Sequence, residues 1–159
     1  MRNVPRLVLA ASVGLMALLM APKAAWTQES AVRKLVGEDY DRANNAADVA
    51  AKVRLYAVDA VILPPQGPAV SGERAIRAWH EAIFKDEISR IDSKIDEVQV
   101  FGDWGFASGT TSGTITSRAT GKQRNVAEKW FVLVRRQADG AWKIVRDIWN
   151  EEPAPSKSG

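Results

Sequence analysis

The stretch Glu128–Asn150, EKWFVLVRRQADGAWKIVRDIWN, decides the fold. Two runs rich in Val, Ile, Phe and Trp flank Ala-Asp-Gly-Ala, the composition of a β-hairpin. With Asp139-Gly140 as a two-residue turn, Ala138 faces Ala141. Val134 then faces Val145, Val132 faces Asp147, and Trp130 faces Trp149. Strand residues two apart share a face. One face therefore carries Trp130, Val132, Val134, Val145, Asp147 and Trp149. The other carries Lys129, Phe131, Leu133, Arg135, Ile144, Arg146 and Ile148, and reads as half-solvated or interfacial. Asp147 is the odd member of a mostly apolar face. None of Val132, Val145, Trp130 and Trp149 can neutralise it, so its pKa is expected above the ordinary carboxylate value.

Upstream of the hairpin the chain reads as two more antiparallel strands, 88–100 and 104–117, separated by "FGDWG" and "ATGK" turns. A Thr120-Gly121 turn sets Ala107, Gly109, Thr111 and Gly113 beside Val134, Val132, Trp130 and Glu128. That lane of small residues leaves room for a ligand or for a closely packed helix. Nearer the N-terminus, Val32, Leu35, Val36, Tyr40 and Ala43 recur at helical spacing within residues 29–46. Asp48 is placed to cap a second short helix reaching Tyr56. "DAVILPPQGP" is a strand ended by prolines and glycine, and "AVSG" is a second short strand or turn. A third helix begins near Ser71 or Gly72, with Glu73 in its first turn and Ile76, Trp79, His80, Ile83 and Phe84 on one stripe. Helices followed by a long meander predict an α+β fold, three helices packed on a strongly curved, mainly antiparallel sheet. There are no internal repeats.

Composition narrows the function classes. The 159 residues are 46% hydrophobic, enough for one domain with a real core. No cysteine is present, which excludes disulfides, thiolate metal sites and lipidation at an N-terminal cysteine. "MRNVPR" followed by the apolar run "LVLAASVGLMALLMA" predicts a signal peptide over 1–27, cut before Gln28, or an uncleaved anchor. That segment holds Arg2, Arg6 and Lys23 and no acid, which is the whole of the net +3. The remaining chain, a domain over 28–151 and a polar tail over 152–159, is neutral. It offers no electrostatic reason to bind nucleic acid. A periplasmic or secreted location is expected.

"YAVDAVILPPQGPAVSGERAIRAW", "GDWGFASGTTSGTITS" and "EKWFVLVRRQADGAWKIVRDIWN" together resemble the SnoaL-like, ketosteroid-isomerase-like branch of the nuclear-transport-factor-2-like superfamily, over roughly residues 29–151. The resemblance implies a cone-shaped α+β barrel with a pocket between helices and sheet, and dimers. Members include isomerases, polyketide cyclases, dehydratases and epoxide hydrolases. Tyr40 falls where ketosteroid isomerase has its oxyanion-holding tyrosine. Asp59 matches a common acidic position before the first strand. Where the isomerase has its general base, this chain has Pro64. The isomerase's second acid falls near Glu128 to Trp130. The dehydratase branch implies two histidines, and this chain has only His80. Asp147 matches the late-strand acid of the polyketide cyclases.

Two readings of these residues follow. In the first, Asp147 transfers a proton, Tyr40 steadies an oxyanion, and Trp79, His80, Trp130, Trp149 and Glu128 line a pocket for a small apolar or polycyclic molecule. His80 would serve there as a shuttle. In the second, the protein is a non-catalytic binding module of the cell envelope, its pocket used only for capture or a sheet face for association, and the same residues are structural: an ion-paired carboxylate, a packed tyrosine, core tryptophans, a boundary histidine. Asp59 is read as a turn or cap residue. No metal site and no cofactor are expected, since there is one histidine and no paired ligand spacing. Phe131, Leu133 and Ile148 among charges on the outer sheet face predict a homodimer.

Overall fold

The computed structural model describes residues 21–152. The basic start and most of the apolar run of the expected signal peptide lie outside the described residues, as does the tail from residue 153. The expected cut before Gln28 falls within the first helix, α1 (Ala21–Lys34). No described helix is long and apolar enough to cross a membrane.

α1 runs without a break through a π-helical turn, Leu35–Asp39, into α2 (Tyr40–Asn45). The turn has a geometric use. Positions 32, 36, 40 and 44 drift by about 40° per step around a straight α-helix. A wider turn removes that drift. Val36, Tyr40 and Asn44 consequently face one cavity. Asp48 caps α3 (Val49–Arg54), its carboxylate accepting from the Ala51 amide at 2.8 Å. β1 (Tyr56–Leu63) and the short β2 (Val70–Ser71) precede α4 (Glu73–Asp86), which buries Ile76, His80 and Phe84. β3 (Glu87–Phe101), β4 (Trp104–Ser117), β5 (Gln123–Arg136) and β6 (Trp142–Glu151) form the meander.

The sheet has six strands in the order β2-β1-β6-β5-β4-β3, antiparallel except where β1 runs parallel to β6. Its edges, β2 and β3, do not join, so the cone is an open α+β sheet under helices rather than a closed barrel. The core fills the gap between layers. Val32, Ile62, Ile76, Val134 and Ile144 are fully buried, each contributing about 1.5–3 kcal/mol by leaving water.

The register differs from the two-residue-turn expectation in two places that cancel. The β5–β6 loop closes on Gln137 and Ala141, with Gly140 at φ 85°. This is a three-residue loop with a left-handed glycine, so Val134 faces Ile144, not Val145. A bulge between Leu133 and Val134 then restores the pairing, and Val132 faces Asp147 and Trp130 faces Trp149. Consecutive Ile144 and Val145 are both buried as a result. Ile144 therefore does not belong to the outer face, because a bulge sends two successive side chains inward. On the other side of β5 the loop is longer than Thr120-Gly121. It closes on Ser117 and Lys122. Ala107, Gly109, Thr111 and Gly113 face Val132, Trp130, Glu128 and Val126. The slip is two residues, which keeps every side chain on its expected face.

Candidate functional site

The helices and the concave sheet face enclose a cavity of about 310 Å³, at the lower end for small-molecule sites. Trp79, Trp130, Trp149, Val132, Ile83 and Ile115 supply apolar wall. Trp79 and Trp149 meet edge to face at 6.0 Å between centroids. The β3–β4 side is polar. Ser93 donates through its amide and its hydroxyl to Asp41, both at 2.7 Å, and its Oγ lies 3.0 Å from Thr111 Oγ1. Burial raises the Asp41 carboxyl, partly offset by these bonds from Ser93.

Asp147 stands on this cavity at 2% exposure. Its strand neighbours are Val132 and Ile62. It is not without partners, which corrects the expectation from strand neighbours alone. Tyr56 donates to Oδ2 at 2.6 Å, and Tyr40 reaches the same oxygen at 3.5 Å. Burial pushes the Asp147 carboxyl above its ordinary value. The bond from Tyr56, the field of Lys52 and the Tyr40 contact pull it back in part. Burial and the negative charge of Asp147 hold both phenols well above their usual range. Tyr40 is half-buried as a whole, and its hydroxyl is the enclosed end. It reaches the carboxylate from α2, where the π turn sets it.

Lys52 lies on α3, fully buried, with its Nζ 2.8 Å from the centroid of the Tyr40 ring and no hydrogen-bond acceptor. Burial drives its pKa well below the lysine value, and the fields of Asp147 and Asp41 oppose that. Lys52 and Asp147 are thus a buried pair, each pushed toward neutrality by desolvation and toward charge by the other. Sequence reasoning missed Lys52 and Tyr56. A signal was present: Val49, Lys52, Val53 and Tyr56 have i, i+3, i+4, i+7 spacing, which puts the lysine on the apolar stripe. Tyr56 is the first residue of β1 and not the end of the helix. It pairs with Ile144. The β1–β6 register shifts between Tyr56 and Val61, and the Tyr56 side chain reaches past that irregularity to Asp147.

His80 borders the cavity at 2% exposure, with neither nitrogen hydrogen-bonded within the protein. Its ring lies 4.8 Å from Trp79, 5.5 Å from Phe84 and 5.9 Å from Tyr56. Burial, and then Lys52, lower its pKa to about 2. Both causes favour the neutral imidazole at physiological pH. Glu128 lines the outer part of the cavity, and burial raises its carboxyl. Pro64 is not among the lining residues, whereas Pro65 and Gln66 are. Asp59 is neither turn nor cap. It sits on β1, exposed, and accepts from Arg135 at 2.7 Å, which lowers its pKa. Among the described residues no group of three or more His, Asp or Glu is placed to hold a metal ion.

The SnoaL-like domain family matches residues 37–146, and the chain belongs to that family. Solved structures agree on the fold. A ketosteroid isomerase-like protein from Erwinia carotovora atroseptica is 27% identical, covering 80% of this chain and 98% of its own, with TM-score 0.75. A nuclear transport factor 2-like superfamily protein from Salmonella enterica is 16% identical, covering 84% and 98%, with TM-score 0.72. An NTF2-like protein from Streptomyces avermitilis, provisionally named a dehydratase, is 16% identical, covering 82% and 99%, with TM-score 0.68. No curated protein matches the chain.

Proposed function

We propose that the cavity binds a small, mainly apolar carbonyl or polycyclic molecule and that Asp147 moves a proton on it, in chemistry of the isomerase, cyclase or dehydratase type. One observation carries this reading: a nearly fully buried carboxylate of raised pKa on an aromatic-walled cavity. Such an acid exchanges protons closer to neutral pH than a free aspartate. Tyr40 would donate to the oxygen that gains charge, and Lys52 would balance Asp147 from behind. The second reading is capture without catalysis, favoured by Pro64 where the resemblance puts an isomerase base. The basic and apolar N-terminal segment supports export to the periplasm or beyond. The exposed Phe101, Phe131 and Ile148 on the convex sheet face support a homodimer.

The test is solvent exchange on a bicyclic ketone, 2-tetralone, in deuterated water. Wild type should accelerate deuterium uptake next to the carbonyl, and Asp147→Asn should lose about 10²–10⁴-fold of that rate. Because the Asn variant strands Lys52, Lys52→Met/Asp147→Asn serves as the folded control. Binding of 2-tetralone without faster exchange would leave capture as the function.

A further inference from the structure

Among the described residues Lys52 is the only buried lysine or arginine, and its Nζ meets no hydrogen-bond acceptor. A lysine in that position is costly and needs a reason. Lys52 does not line the cavity. Tyr40 does, and its ring carries the ammonium 2.8 Å from the centroid. The charge therefore acts on the cavity across an aromatic ring and not by contact. The acids whose fields reach Lys52 are Asp147 on β6 and Asp41 on α2. Asp41 is already satisfied, both its oxygens taking bonds from Ser93 at 2.7 Å. Asp147 holds Tyr56 closely, at 2.6 Å, and Tyr40 loosely, at 3.5 Å. The field of Glu128 reaches Tyr40 from β5. Tyr40, Tyr56 and His80 are neutral at physiological pH.

We infer that Lys52 is a positioning residue for the proton transfer, a fixed counter-cation balanced by Asp147 before the step and by the substrate's oxygen after it. The inference rests on the reading that Asp147 accepts a proton from a carbonyl compound in the cavity. Charge balance carries it. At rest Lys52 and Asp147 cancel. Asp147 then takes a proton from the carbon beside the carbonyl. The C–H electron pair forms a carbon–carbon double bond, and the carbonyl pair moves to oxygen. Asp147 is now neutral and the oxygen is negative. With Lys52 in place the net charge is zero before and after, so neither state leaves a buried charge uncompensated. Tyr40 links the two states. Its hydroxyl can leave its long contact with Asp147 as that carboxylate is neutralised and donate to the new oxyanion, while the ammonium stays against its ring.

2-Naphthol tests this, because its ionised form has the shape of the 2-tetralone enolate. Asp147→Asn imitates the acid after it has taken the proton and leaves Lys52 without a counter-charge. That variant should hold 2-naphthol ionised at pH 7, seen as the red-shifted absorption of the naphtholate. It should bind the probe roughly 10–100-fold more tightly than Lys52→Met/Asp147→Asn does. If Asp147→Asn is partly unfolded, the probe should restore it by mass action, and the titration is then read by circular dichroism. In catalysis, Lys52→Met should slow exchange on 2-tetralone by about 10²-fold. It should also move the rise of rate with pH to higher pH, because the field of Lys52 helps to lower the Asp147 pKa. Un-ionised 2-naphthol in Asp147→Asn, equal affinity in the double variant, no binding to either at millimolar concentration, or wild-type exchange by Lys52→Met would overturn the inference. The two readings fail distinguishably. Wild type inert toward 2-tetralone, with Lys52-dependent naphtholate binding, overturns proton transfer by Asp147. Full exchange in wild type, with Lys52-independent binding, overturns the role of Lys52 alone.

Discussion

The two faces of the β5–β6 ribbon carry charges in opposite circumstances. On the convex face, Arg135 meets Asp59 at 2.7 Å with 29% and 56% of the side chains exposed. Water and salt screen that pair, so it costs little and contributes little. On the concave face, Asp147 is 2% exposed and Lys52 fully buried. Neither can be solvated, and each is costly without the other. A fold keeps a convex charge for free, whereas a concave one needs a reason. The same alternation of residues along one strand therefore produces a bland surface on one side and a strong functional candidate on the other.

The largest break in this contrast is Asp147→Asn. It keeps the shape and a group for Tyr56 to donate to, but strands Lys52. At pH 7 we expect a loss of about 3–5 kcal/mol in urea unfolding. The sign follows from Lys52: its folded pKa is depressed, so the unfolded chain binds a proton that the native state refuses. Stability of the variant should rise with pH toward the free lysine value of 10.5, and its deficit against wild type should shrink. Lys52→Met/Asp147→Asn should recover most of the loss at pH 7. A deficit that ignores pH would mean that Lys52 is not the stranded group. Destabilisation alone does not separate a structural from a catalytic Asp147, which is why proton exchange is the functional readout.

His80 sharpens the contrast in the acid range. Its folded pKa of about 2 lies below the ordinary 6.5. The unfolded chain protonates first, so stability is lost as pH falls below 6.5 toward 2. The slope approaches about 1.4 kcal/mol per pH unit for one such group. His80→Leu should flatten the decline between pH 7 and 4.5 by roughly 2–3 kcal/mol. Asp147, with its raised pKa, acts with the opposite sign in the acid range above 3.8, and the comparison with the variant isolates His80. Identical acid slopes in both proteins would show that His80 has access to water or a partner.

How much of this was legible beforehand depended on whether a signal was local. The hairpin's facing pairs came from alternation, and they held at Val132–Asp147 and Trp130–Trp149 because a bulge undid a turn of unexpected length. Neither feature is written in the alternation itself. Asp147 stood out because a carboxylate interrupts an apolar face. Tyr56 and Lys52 come from β1 and α3, far away in the chain, and only the parallel β1–β6 pairing brings them to Asp147. That pairing is non-local, and no short-range pattern specifies it. The neutral state of His80 was equally out of reach: Trp79 and Phe84 share its helix, but Tyr56 closes over it from β1 and the field of Lys52 comes from α3.

A smaller effect is expected from Gly109→Ala. The added methyl would meet the Lys94 carbonyl oxygen at 2.1 Å and the Trp130 ring at 2.6 Å. Backbone cannot yield readily, so overpacking should cost about 1–3 kcal/mol, and the indole should turn. Near-ultraviolet circular dichroism of the tryptophans would report the movement. Unchanged stability and spectrum would mean that β3 and β4 are less closely apposed at this point.

The smallest effect belongs to the convex face. Arg135→Ala removes the bond to Asp59 and the approach of the guanidinium to the Trp104 ring, 5.4 Å away. Surface pairs are worth about 0–1 kcal/mol, and an exposed cation–π contact about 0.5–1. We expect a loss below about 1 kcal/mol in urea unfolding at low salt. The difference should shrink in 0.5 M sodium chloride, where exposed charges are screened over a few ångströms. It should shrink again in acid. The bond from Arg135 lowers the Asp59 pKa, so its contribution is present above 3.8 and lost as pH falls through the folded value. A loss above about 2 kcal/mol, insensitive to salt, would place Arg135 in a desolvated contact, as a convex-face dimer would supply. Repeating the melt across a hundredfold range of protein concentration would decide that, because a subunit contact makes stability depend on concentration and an intramolecular pair does not.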